Sequence, residues 1–270
     1  MDDLTPIARL SRDLANAAAT LGDAEVRFLV DAYYQMQDQR IRSEGQIRSI
    51  QKSDTPEPHI VLSWLSDQSR AMEGQIKRAL GKYVDAHPMG EWFENVYGIG
   101  PVIAAGLVAH IDINKAPTVG HIWRYAGIDP TLKWERKSKR PWNAELKVIC
   151  WKAGQSFMKF AAEDECFYGH VYRENKAKLM QRNERGEFFE RSAQILVEKN
   201  FNKTTDAFKA YSVGRLPPAH IDAMARRYAV KLFLAHMHSE MCRRILKTEP
   251  PLPYPIAHGG HVHVVDDPQK

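Results

Sequence analysis

The sequence has little that fits a secreted or membrane-spanning protein. Its three cysteines, Cys150, Cys166 and Cys242, are too few for a disulfide framework, which predicts a reduced, intracellular protein. No apolar run approaches the ~20 residues that cross a bilayer, so no membrane contact is expected. The opening, MDDLTPIARL, lacks the basic-then-apolar layout of a signal peptide. These features together predict a cytoplasmic location, nucleoid-associated in a bacterial host. Internal repeats are missing, and so is the period-two alternation of strands, leaving a mostly α expectation. Charge of one sign is not dominant either. The 38 Lys and Arg against 33 Asp and Glu leave +5, which permits a nucleic-acid partner without demanding one. With 270 residues, 44% of them hydrophobic, the chain can fill one large core or two ordinary ones.

Residues 1–88 read as a long helical hairpin. Val26, Leu29, Val30, Tyr33 and Met36 recur at helical spacing, and Ile41, Ile47 and Ile50 continue a thinner stripe. The segment SDTPEPH at 53–59 breaks the run. A second helix follows from about Ile60 to Ala86, with Leu62, Leu65, Met72, Ile76, Leu80 and Val84 as apolar positions. Two such helices joined by a short turn form a coiled antiparallel pair or part of a bundle. Residues 89–247 read as a second, helical domain, with an insertion at about 163–213. Within it a helix is expected from Asn143 to about Ala162, with Asn143 as N-cap and Glu145 in the first turn. The tail 248–270 is rich in proline, glycine and histidine, which predicts an extended or disordered segment.

The stretch FENVYGIGPVIAAGLVAHI at 93–111 reads as helix, tight turn, helix. Gly98 and Gly100 supply turn conformations, and Pro101 suits the first turn of the second helix. Ala104 and Ala105 are small enough for close helix approach. This is the helix-hairpin-helix pattern, whose backbone amides at a helix N-terminus suit a phosphate. Gly98, Ile99, Gly100, Pro101, Val102 and Ala104 are therefore candidate nucleic-acid contacts. The same hairpin is equally readable as a turn that only packs helices. No strand precedes the glycines, which excludes a dinucleotide-binding fold.

The basic stretch KWERKSKRPW follows at 133–142. Lys133, Arg136, Lys137, Lys139 and Arg140 stand against one acid, Glu135, and Trp134 and Trp142 bracket the run. Phosphates meet such cations, and exposed bases can stack on such indoles. Arg226 and Arg227 add a basic face to the late helix from His220 to Leu246. Cys166 with His170, and His238 with Cys242, have i, i+4 spacing beside His236, which would suit zinc only if they met in space. No metal or cofactor is expected, and the tail histidines His258, His261 and His263 have no assigned role.

GIGPVIAAGLVAHI, then WRYAGIDP at 123–130, then a basic loop and the helix opening at Asn143 and Leu146 form an ordered series. In that order they resemble the C-terminal domain of the DEDD-type insertion-sequence transposases, the bridge-RNA-guided recombinases that include pilin-gene invertases. LPPAHIDAMARRYAVKLFLAHMH at 216–238 is similar to that domain's closing helix. The resemblance implies binding of DNA, or of structured RNA, in recombination or transposition. It implies a serine nucleophile from the loop, for which Ser138 is the one candidate, and a monovalent cation at hairpin carbonyls near Val96 and Gly98. Two features depart from the family. The N-terminal half lacks the strand-rich acidic domain, and the loop lacks Ser-Gly-Gly. The expectation is a DNA-binding protein without autonomous catalysis, dimeric or larger through its N-terminal helices. The alternatives are a recombinase or nuclease subunit that pairs Ser138 with a partner's metal site, and a protein–protein interaction module.

Overall fold

The computed structural model describes residues 12–52, 60–135, 137–252 and 265–269. All regular structure among them is helical. The proline-bearing turn at 53–59, Arg136 and the tail histidines lie outside the described residues. The chain divides into two compact units.

The first unit holds α1 (Arg12–Ala18), α2 (Asp23–Ile50), α3 (Ile60–Ala86), α4 (Gly90–Glu94) and α5 (Pro101–His110). Glu25 opens α2 by accepting the Gly22 amide at 2.8 Å, so a first-turn carboxylate meets the helix's positive end. Helices α2 and α3 run antiparallel. Asp23 accepts from the Tyr83 hydroxyl near one end, and Arg40 reaches Glu73 at 2.6 Å further along. Val26, Val30, Ile76, Leu80 and Val84 are buried at the first end. Beyond them the seam is made of small hydroxyls, Ser43, Ser66 and Ser69. Ser43 and Ser69 each donate to the carbonyl one turn back, which satisfies them without a cross-helix partner. Ile41, Ile60 and Met72 face solvent instead of the seam, because serine occupies the register that the apolar stripe alone would give to isoleucine.

Helix α5 is the core of this unit. Val102, Ala104, Ala105, Leu107, Val108 and Ala109 are all buried, and the helix packs on both α2 and α3. The Arg27 guanidinium caps its end by donating to the Ala109 carbonyl at 2.5 Å. The sequence boundary at residue 88 is therefore displaced. Residues 89–95 and 99–115 belong with the N-terminal helices, since α5 fills the space between them.

The second unit holds α6 (Val119–Tyr125), α7 (Ala144–Lys159), α8 (Phe167–Glu184), α9 (Phe189–Glu198), α10 (Asp206–Ser212) and α11 (Pro218–Met241). Asn143 caps α7 as expected, its side-chain oxygen accepting the Leu146 amide at 2.8 Å. Phe157 on α7, Tyr168 on α8 and Phe233 on α11 meet in one aromatic core with centroids 5.0–5.4 Å apart. The segment read as an insertion is thus built into this unit, with α8 packed along α11. The described end of the tail is held there too. His236 accepts from the Tyr168 hydroxyl at Nδ1 and donates from Nε2 to the Val265 carbonyl, both at 2.8 Å, and Asp267 is buried.

Three histidines make the fold sensitive to mild acid. Burial lowers His87, His220 and His238 below the ordinary histidine value of 6.5. Between the lowered folded values and 6.5 the unfolded chain binds more protons, so stability present above 6.5 is lost as pH falls. Thermal unfolding is expected to shift to lower temperature from pH 7 to pH 5. A midpoint that is unchanged, or rises, over that range would refute this.

Candidate nucleic-acid interface

The glycine turn has the conformation its sequence requires. Gly98 is left-handed with φ +91°, and Gly100 is extended ahead of Pro101, the first residue of α5. Val96–Gly98 group with the second unit and Ile99 onward with the first. The Gly98 carbonyl, one of the candidate cation ligands, accepts from the Ser156 hydroxyl at 2.5 Å. Ile99, Val102 and Ala104 turn their side chains into the core. Any contact they make is therefore through backbone amides at the start of α5, where Gly100 is exposed.

The second unit supplies the side chains. Helix α6 ends in a left-handed glycine: Gly127 (φ +62°) donates to the Arg124 carbonyl and Ile128 to the Trp123 carbonyl, both at 3.0 Å. This turn is the seat of Trp142. A Cβ on Gly127 would stand 2.6 Å from Trp142 Cγ, closer than packing permits. Lys147, one turn into α7, places its ammonium 4.2 Å from the centroid of the same indole. Trp142 is thus held between a glycine and a cation. Trp134 stands edge-on to it at 6.4 Å, and the Arg140 guanidinium lies 5.4 Å from the Trp134 centroid. Gly127→Ala is expected to cost about 1–2 kcal/mol for the left-handed backbone alone. Displacing Trp142 adds to that, so the thermal midpoint should fall by roughly 5 °C, with a changed near-UV dichroism. An unaltered midpoint and spectrum would refute this seating of Trp142.

The loop holds itself by local bonds. Trp134 Nε1 donates to the Ser138 carbonyl at 3.0 Å, and the Ser138 hydroxyl donates to the Glu135 carbonyl at 2.7 Å. The one proton of Ser138 is thus committed to a backbone carbonyl rather than to a side-chain base. Lys133, Lys137, Lys139 and Arg140 are all exposed.

Where cations are paired, and where they are not, distinguishes this face. On α2 and α3, Arg40, Arg42 and Arg70 pair with Glu44 and Glu73 or with Asp38. Arg182 and Arg185 share Glu187, Arg243 pairs with Glu240, and Arg244 with Glu91. Arg226 and Lys176 both lie 2.8 Å from Asp222, which also accepts from the Tyr172 hydroxyl. Burial alone would raise Asp222, but Lys176 and Tyr172 hold it below the usual carboxylate range. Arg226 is therefore tied into the α8–α11 packing, and its neighbour Arg227 is the exposed cation of the pair.

Arg140, Lys147, Arg191, Arg227 and Lys231 have no carboxylate ion pair among the described residues. They repel one another instead. Burial, then Arg227 and Arg140, lower Lys147; burial, then Arg191, lower Arg227. Lys231, whose ammonium lies 4.0 Å from the Trp123 centroid, is lowered by burial and by Arg227 against the pull of Asp129. Such a cluster of unpaired cations is a site for an anion. Sequence reading found Arg140, Arg227 and Lys231 but missed Lys147, Arg191 and the exposed Trp151. The signal for Lys147 and Trp151 was their i, i+4 spacing on the polar side of the Asn143-capped helix. Arg191 lies too far along the chain for any spacing to place it.

The histidine and cysteine pairs do not converge. His238 Nε2 donates to the Ala116 carbonyl at 2.8 Å with Cys242 beside it, whereas Cys166 Sγ lies 3.8 Å from the Tyr97 carbonyl. No cluster of three or more metal-ligating side chains occurs among the described residues. Cys150 is fully buried, which pushes its thiol up to about 12. No helix among the described residues is long and apolar enough to cross a membrane. No family model, curated protein or solved structure matches the chain.

Proposed function

We propose that this chain binds nucleic acid through the basic and aromatic face of its second unit. The observation that carries the reading is the set of unpaired, mutually repelling cations around two packed indoles. A phosphate backbone relieves that repulsion and releases counterions as it binds. The hairpin amides near Gly100 serve as a further phosphate contact. Together with the resemblance of residues 92–162 to a transposase C-terminal domain, this places the protein in DNA recombination or transposition, as a binder rather than a catalyst. The bonding of Ser138 to Glu135 supports the non-catalytic side of the proposal. Exposed Ile60, Val61, Trp64 and Met72 on α3 support self-association through the N-terminal helices. The test is a mobility shift with DNA and with structured RNA at moderate salt. Binding is expected to be lost when Lys137, Lys139 and Arg140 are replaced by glutamate. Binding that ignores those replacements, or no binding at all, would overturn the reading.

A further inference from the structure

The indoles on this face differ in what they leave open. Trp142 is covered on both sides, by Gly127 and by Lys147. Trp134 and Trp151 remain 42% and 55% exposed, unusual for the largest apolar side chain. Each has a cation at its margin, Arg140 5.4 Å from the Trp134 centroid and Lys152 5.8 Å from that of Trp151. Trp151 and Lys147 lie four residues apart on α7, both exposed and therefore on one face of the helix. Trp134, Trp142, Lys147 and Trp151 thus follow one another along the loop and the helix. Open indoles alternate with unpaired cations in that series, and Trp142 is the fixed pedestal between them.

We infer that this track takes single-stranded nucleic acid in preference to duplex. The inference rests on the nucleic-acid reading above and names its substrate class. An exposed indole can stack only on a base whose face is free, and in a duplex both faces of each base are already covered. Stacking tolerates any base, because every base has a π-face, so little sequence preference is expected. The phosphates between stacked bases pass over Lys147 and Arg140, the cations left without carboxylate partners. A site built for duplex phosphates alone would use the cations and have no need of open indoles.

The experiment compares an oligothymidine of roughly 20 nucleotides with a duplex of the same length, by fluorescence anisotropy on the full chain. The single strand is expected to bind roughly tenfold more tightly and to quench tryptophan emission. Trp151→Ala is expected to weaken single-strand binding roughly fivefold or more while leaving duplex binding within about twofold. Trp151→Phe should restore most of the loss, since phenylalanine keeps a stacking face. Trp134→Ala also removes the bond to Ser138, so Trp151, which pins no loop, supplies the cleaner variant. Equal or tighter duplex binding, or Trp151→Ala weakening both ligands alike, would overturn the single-strand assignment and leave nucleic-acid binding standing. Binding to neither ligand would overturn both.

Discussion

Nucleic-acid affinity is expected to fall about a hundredfold when Arg140, Lys147 and Arg227 are all replaced by glutamine. Each is a cation without a carboxylate partner, so each is free to contact a phosphate. A charge-assisted contact of about 1 kcal/mol from each gives about 3 kcal/mol in all, or two decades in affinity. The three are coupled to one another, so the single variants should not sum to the triple one. The salt dependence should also become shallower, by about 0.9 in the log–log slope for each phosphate contact removed. Stability should hold or rise slightly, because the substitution removes repulsion and breaks no ion pair. Arg226→Gln is the contrasting control. It breaks a pair with Asp222 inside the α8–α11 packing and should reduce stability more than binding. A triple variant that binds like the wild type would exclude this face as the contact surface.

Phe157→Ala is expected to destabilise the protein by about 3–5 kcal/mol, the largest effect of any single truncation proposed here. Phe157 is fully buried, and its ring meets both Tyr168 and Phe233. Its backbone lies on the helix whose Ser156 holds the Gly98 carbonyl, and the Phe157 ring would meet a Cβ on Gly98 at 3.5 Å. The cavity therefore opens between three helices and beneath the glycine turn. A thermal midpoint lower by roughly 10 °C is the expected readout. A loss under about 1 kcal/mol would mean that the second unit's core is centred elsewhere.

The local features of this fold were readable from the sequence because they depend on neighbours a few residues away. Asn143 announced its helix by residue type, and its side chain caps that helix. Gly98 and Gly100 announced a turn ahead of Pro101, and the turn is there. The antiparallel α2–α3 hairpin followed from two long helical stripes. Partner choice was not readable in the same way. Periodicity shows which face of α5 is apolar, yet α5 is apolar all round, and nothing local assigns it to α2 and α3. Ile41, Ile60 and Met72 fit an apolar stripe but were displaced from the seam by Ser43, Ser66 and Ser69. The candidate interface was half legible for the same reason. The run at 133–140 is basic within one loop, so composition exposed it. Whether a cation elsewhere is neutralised depends on contacts made across the fold. Arg226 and Arg227 are adjacent in sequence and opposite in circumstance, one paired with Asp222 and the other repelled by Arg191.

The central claim is that the unpaired cations of the second unit bind a phosphate backbone. The most direct test is the equilibrium affinity of the wild-type chain for an oligonucleotide, measured by anisotropy from about 50 to 300 mM salt. The account predicts measurable binding at the low end and a steep, linear fall of log affinity with log salt, with a slope of magnitude about 3 or more for the cations named. No binding at the lowest salt, or an affinity indifferent to salt, would contradict it.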